Sequence, residues 1–328
     1  ITPEHLNSLI RKIENNHLPC GFDYYLKKCL TLLARGKINF KYDMVIIDEA
    51  QDMYQSILSF AKNLCKKHLI LVGDKHQAIY SFTGRVNLLD TLEDTEEAYL
   101  TASFRLNEKV TNMANEILRL KGEKNLIKSK QVNTPEKSKA VIGRTNEGLI
   151  NYYFKLPEEL KKRAKFEREI EEIFKFNFTL SCIIHKINPE TICHKYKIKK
   201  QKVLIESLYH NLKNISHTEI FDYLKNLLLY GQNFSQESDL ITAYRLAQDL
   251  SPDRILEIIN QYNSYKNENK ELYIGTVHSC KGKEYREVLI LKDLMSDKNH
   301  DQYHLNLLYT AVSRASEDYF FPRSDKFK

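Results

Sequence analysis

The 328 residues carry 50 Lys and Arg against 43 Asp and Glu, a formal net charge of +7, with 42% hydrophobic and 28% charged content. That composition is that of an ordinary globular chain of about two domains, with no low-complexity tract and no fixed-period repeat. No apolar stretch approaches the ~18 residues of a membrane-spanning helix, and the six cysteines form no CxxC pair, which suits a reducing compartment.

In chain order, the opening "ITPEHLNSLI" lacks the basic and then apolar regions of a signal peptide and has no initiating methionine, so the expectation is a start inside a longer protein. "MVII" (44–47) is the first run that reads as a buried strand, and it delivers Asp48, Glu49, Gln51 and Asp52 at its end. A helical pattern follows over 54–67, and then a second strand, "LILV" (69–72), which empties into Gly73, Asp74, Gln77, Tyr80 and Phe82. Residues 107–120 space Val110, Met113, Ala114, Ile117 and Leu118 as one helix face, with Asn107 as N-cap. "AVIG" (140–143) is a third strand and leads to Arg144.

From Asn151 to about Lys270 glycine nearly vanishes, leaving only Gly231, and long amphipathic helical patterns such as "PEELKKRAKFEREIEEIFKF" dominate. Within it, Lys155 to Lys202 holds 13 Lys and Arg against 7 Asp and Glu, which suits either a nucleic-acid contact or a solvated lysine-rich surface. Cys182, His185, Cys193 and His194 are spaced poorly for one tetrahedral zinc, and two semi-buried cysteines account for them better. Strands resume with "ELYIGTV" (271–277) and "EVLIL" (287–291). A helical stretch presenting Arg314 follows, and then "DYFF" (318–321). Alternating strand and helix predicts an α/β fold of parallel sheets covered by helices.

The chemistry gathers at the strand ends, where open α/β sheets bind ligands. Adjacent carboxylates at Asp48 and Glu49 suit a hard cation and a proton acceptor; they equally suit a solvated pair opening the next helix. Gln77 suits orienting a water or sensing a phosphate, and Tyr80 and Phe82 suit stacking on unpaired bases or simple core packing. Arg105, next to Phe104, suits charge neutralisation on a transferring phosphoryl group or a helix-end ion pair. The turn carrying Thr276, His278, Ser279, Lys281 and Gly282 is rich in donors for phosphate.

The ordered series DEAQD, VGDKHQAIYSFTGR, SFR, VIGRTN, GTVHSCKGKEY and LLYTAVSRA resembles the UvrD/Rep-type DNA helicases of superfamily one. Within them the wording "YDMVIIDEAQDM" and "YIGTVHSCKGKEY" is most similar to the F-box DNA helicase branch. The resemblance implies two RecA-like domains clamping ATP, with single-stranded DNA crossing them. It assigns residues 1–84 to the first domain, 85–150 and 272–328 to the second, and 151–271 to a mostly helical, basic insertion that could also meet protein partners. It implies Mg²⁺ on Asp48, activation of water by Glu49, γ-phosphate contact by Gln77, and two arginine fingers at Arg105 and Arg314. It further implies adenine stacking on Phe104 and ribose binding by Glu284, with Gly282 in the same turn. DNA contacts fall to Tyr80, Phe82, Arg144, Thr276 and His278. The expected activity is ATP-driven 3′–5′ movement on single strands and unwinding of duplex DNA. The expected location is intracellular: nuclear in a eukaryote, otherwise in the cytoplasm or nucleoid.

Departures from the family pattern are specific. No GxxxxGK[ST] occurs in the chain, Lys283 stands where the family has an apolar residue, and His304 replaces an acid. The 328 residues are therefore expected to be the C-terminal part of a helicase, inactive alone. The alternative is a non-catalytic nucleic-acid-binding or interaction module derived from one.

Overall fold

The computed structural model describes the chain except residues 1–2, 16, 19–20, 39, 132–137, 217–218, 221, 225, 227–236, 296–300 and 322–328. Cys20 and Gly231 lie outside the described residues. The chain divides into two units, Ile1–Glu97 and Ala98–Lys328.

In the first unit, β1 (Tyr42–Ile47) and β2 (Cys65–Leu71) form a parallel pair with Val45 beside Leu69 and Ile47 beside Leu71. Helix Gln55–Leu64 connects them and buries Leu58, Ala61 and Leu64. The strand period sends Ile47 to the core with Ala50, Leu58, Ala61 and Leu88, while Met44 and Ile46 are 51% and 59% exposed. The connecting helix is shorter than the sequence pattern suggests. It stops at Leu64, and "CKKH" (65–68) is already strand, paired to Tyr42 and Met44. Polar residues there occupy a strand's exposed positions, so no apolar run announces it.

In the second unit, β3 (Ala102–Ser103) and β4 (Lys128–Ser129) form a small parallel pair beside helix Glu108–Leu120, whose Asn107 side chain accepts from the Val110 amide as the sequence predicts. The main sheet is fully parallel in the order β6-β7-β5-β8-β9. Its strands are β5 (Lys139–Gly143), β6 (Ala164–Phe166), β7 (Leu272–Thr276), β8 (Tyr285–Ile290) and β9 (Ala315–Phe320). Val141, Ile142, Ile274 and Val288 are fully buried, as central strands of a parallel sheet require.

Two further sequence expectations need correction. Residues 157–176 do not form one helical run. Helix Glu158–Arg163 gives way to β6, and helix Ile170–Ile184 follows. Ala164 and Phe166 are buried around exposed Lys165, a period of two that the surrounding charges mask. Arg314 is not on a helix either: helix Gln302–Val312 ends before it, and the residue sits in the turn just ahead of β9. Cys182 and Cys193 are both buried in the apolar core around Phe174 and Phe178.

Candidate functional site

In the first unit, the acidic cluster lies directly past the carboxyl end of β1. The parallel pairing continues beyond the strands: the Val72 amide donates to Ile47 O at 2.8 Å and the Ala50 amide to Val72 O at 3.0 Å. This brings the ends of both strands side by side. Glu49 takes a left-handed backbone (φ 52°), a conformation costing a non-glycine residue about 1 kcal/mol and concentrated at functional sites. Its amide donates to Asp48 Oδ1 at 2.9 Å.

Gln51, only 2% exposed, links the two strand ends. Its Nε2 donates to Glu49 Oε2 at 2.6 Å, and its Oε1 accepts from the Asp74 amide at 3.2 Å. A carboxylate can only accept and an amide N–H only donate, so this orientation of the side chain satisfies both. Asp74 in turn accepts from the His76 amide at 2.9 Å and from Gln77 Nε2 at 2.8 Å. Glu49 and Gln77 thus stand at the two ends of one hydrogen-bonded line. Gly73 leaves room for it: a Cβ there would lie 2.2 Å from Gln51 Oε1. Sequence reading placed Asp48, Glu49 and Gln77 in a site but gave no role to Asp74 and none to Gln51 as the link.

Tyr80 and Phe82 follow the same strand. Their ring centroids are 6.4 Å apart, and Phe82 is 58% exposed. Arg85 lies over Tyr80 (4.9 Å) and Tyr54 (5.6 Å). Burial, assisted by Asp52, pushes the Tyr80 hydroxyl above its ordinary value. Tyr80 is therefore the embedded member of the pair and Phe82 the presented one.

In the second unit, three residues far apart in sequence meet. Arg105 Nη1 donates to Glu284 Oε1 at 3.0 Å and its Nη2 to Ser313 O at 3.0 Å. Arg314 is 3% exposed and is held by Thr310 O (3.1 Å), Lys283 O (3.3 Å) and Ser313 Oγ (3.2 Å). Burial, and then the neighbouring Arg105, lower the Arg314 guanidinium to about 10, which leaves it charged at neutral pH. Phe104 is 66% exposed beside this cluster, and Gly282 takes the left-handed turn (φ 79°) that leads into Glu284. Arg105, Glu284 and Arg314 are together; Phe104 and Gly282 adjoin them in sequence.

Arg144, Thr276 and His278 form a second group, at the carboxyl ends of β5 and β7, where Gly143 lies beside Thr276. Thr276 caps the short helix Val277–Cys280 through the Ser279 amide, and His278 Nε2 is 3.3 Å from the Tyr303 hydroxyl. The Arg144 and Thr145 amides, both at 3.0 Å, and Thr145 Oγ1, at 3.2 Å, all donate to Asp293 Oδ2. Burial outweighs these donors and raises the Asp293 carboxyl above its ordinary value. Asp293 escaped sequence reading, since nothing local marks a partner 149 residues away.

Among the described residues, no three His, Cys, Asp or Glu side chains gather to form a metal cage.

Residues 5–99 match the UvrD/REP helicase N-terminal domain, and residues 271–320 the UvrD-like helicase C-terminal domain. Among curated proteins, the chain is 26% identical to F-box DNA helicase protein 1 of Schizosaccharomyces pombe, covering 94% of this chain and 37% of that one. It is 28% identical to F-box DNA helicase 1 of Gallus gallus, covering 90% of this chain and 30% of the relative. Gabija protein GajB of Bacillus cereus is 26% identical over 89% of this chain and 65% of its own. The chain thus spans about a third of the length of the two F-box relatives.

Proposed function

Because this chain belongs to the UvrD-like helicases, we propose that it is the part of an intracellular ATP-driven DNA helicase that supplies the water-activating carboxylate and the arginine fingers. The observation that carries this reading is the line Glu49–Gln51–Asp74–Gln77. It ties a proton acceptor to a side chain suited to sensing phosphate. When one end shifts with the γ-phosphate, the other end is repositioned. Asp48, with its carboxylate turned to the Glu49 amide, would hold Mg²⁺. That ion, when bound, neutralises phosphate charge.

Glu49 accepts the proton of the attacking water, and the buried Gln51 fixes one of its oxygens so that the other is aimed. Arg105 and Arg314 act as arginine fingers, neutralising charge on phosphates. Arg105 exchanges its Glu284 and Ser313 partners to do so, whereas Arg314 is already oriented by three acceptors. Phe104 stacks on adenine and Glu284 takes the ribose. Phe82 stacks on unpaired bases, and Arg144, Thr276 and His278 line the strand's path. Movement is 3′ to 5′ on single-stranded DNA, with duplex DNA opened ahead, in repair or recombination. Residues 1–84 make the first RecA-like domain, 85–150 with 272–328 the second, and 151–271 the helical insertion.

No GxxxxGK[ST] stretch lies within the 328 residues, so purified residues 1–328 are expected to turn over negligible ATP. Robust turnover by them would place the phosphate cradle elsewhere. In a protein that joins this chain to such a loop, Glu49→Gln keeps ATP and DNA binding and loses DNA-stimulated turnover; turnover that persists refutes the role of Glu49. The missing loop also favours a second reading, a nucleic-acid-binding module without hydrolysis. DNA binding without turnover in that joined protein would establish it.

A further inference from the structure

Glu167 follows β6 directly, and its amide donates to Ile274 O at 2.9 Å, so its backbone is fixed by the sheet. Its side chain is 5% exposed and meets two partners, Lys283 Nζ and the Tyr285 hydroxyl. Those partners flank Glu284. An extended chain sends alternate side chains to opposite sides. Holding 283 and 285 on one side therefore turns 284 to the other, where Glu284 meets Arg105 at 3.0 Å. Gly282, at φ 79°, admits the chain into this stretch, and the Lys283 carbonyl also accepts from Arg314. Burial drives the Tyr285 phenol far upward, so it stays a hydrogen-bond donor to Glu167 at any ordinary pH. A lysine stands at 283 where the resembled family has an apolar residue, and Glu167 is the carboxylate that balances it.

We propose that Glu167 is a positioning residue for the nucleotide's ribose: by gripping Lys283 and Tyr285 it sets the direction of Glu284 and the Arg105 pair. This rests on the reading of Glu284 as the ribose-binding group. The grip is charge-matched, so its loss should be specific and repairable. Removing the Glu167 charge frees Lys283 to swing and Glu284 to turn with it, while adenine contact at Phe104 is untouched.

The test is saturation-transfer difference NMR of ATP with purified residues 1–328, which reads weak binding proton by proton. In the unaltered chain, adenine H8 and ribose H1′ both receive saturation, and Glu284→Gln loses the ribose signal alone. Glu167→Gln is expected to lower ribose H1′ relative to adenine H8 by about twofold to fivefold, the range of a single ion pair whose lysine is partly exposed. The double variant Glu167→Gln/Lys283→Met, which removes both charges, should restore the original ratio. An unchanged ratio in Glu167→Gln, with the ribose signal lost in Glu284→Gln, sinks the positioning role and leaves the ribose assignment standing. A ribose signal that survives Glu284→Gln overturns both. A uniform fall of both protons, or a double variant that fails to recover, reduces Glu167 to a purely structural residue.

Discussion

Arg105 and Arg314 are equivalent in the family pattern but not in their surroundings, and their variants should separate accordingly. Arg314 is 3% exposed with three acceptors, so Arg314→Ala removes three hydrogen bonds of a buried side chain and is expected to cost about 3 kcal/mol of stability. Arg105 has a side chain 30% exposed and one carboxylate partner, so Arg105→Ala should cost less than about 1 kcal/mol. Denaturant midpoints of the two variants will show whether this order holds. Gly73→Ala is the corresponding probe in the first unit. The added methyl must displace Gln51, separating Glu49 from Asp74, for about 1–3 kcal/mol of strain. A variant as stable as the original chain would show that Gln51 has room to move.

At the scale of elements, Asp293 pins the exit of β8 to the start of helix Asn146–Lys155. Its carboxyl is raised above the ordinary 3.8 by burial, so the folded state prefers the proton. That contribution to stability is full below the unfolded-state value and is lost as pH rises through the folded one. Asp293→Asn keeps an acceptor and removes the charge. It should flatten this loss in denaturant midpoints taken from about pH 3 to pH 7; an unchanged slope would mean the group titrates normally.

All six strands read from the sequence are present, and those at the centre of the five-stranded sheet are legible because strands buried on both faces are short continuous runs of apolar, often β-branched residues. β6 was illegible for the opposite reason: three residues with a lysine at the centre, set among charges at helical spacing. The site divides similarly. Asp48, Glu49, Gln77, Arg105 and Arg314 are legible from local motifs. Glu167 and Asp293 act on residues 116 and 149 positions away, and no local pattern encodes such a pairing.

For the molecule as a whole, a net charge of +7 would make the proposed DNA binding salt-sensitive, but the basic segment is not a uniform cationic surface. Lys175, Lys195, Lys200 and Lys202 are engaged with Glu172, Asp253, Glu190 with Glu206, and Glu171. Neutralising Lys197 and Lys199 should therefore reduce the salt slope more than neutralising Lys200 and Lys202, measured by fluorescence anisotropy with a single-stranded oligonucleotide. Equal effects would mean that the ion pairs give way to DNA. In the same assay Phe82→Ala should weaken binding by about 1–3 kcal/mol, and an unaltered affinity would remove Phe82 from the contact.

The parallel pair in the first unit has only two strands and leaves Met44, Ile46, Ile70 and Val72 between 39% and 59% exposed. Parallel strands are ordinarily sealed on both faces, so the amides of 44–47 and 68–71 should trade deuterium well before those of 140–142 and 288–290, whose residues are walled in by neighbours on either side. The turn that carries Glu49 would then loosen early on warming, while Arg105 and Arg314, in the five-stranded sheet's unit, keep their places.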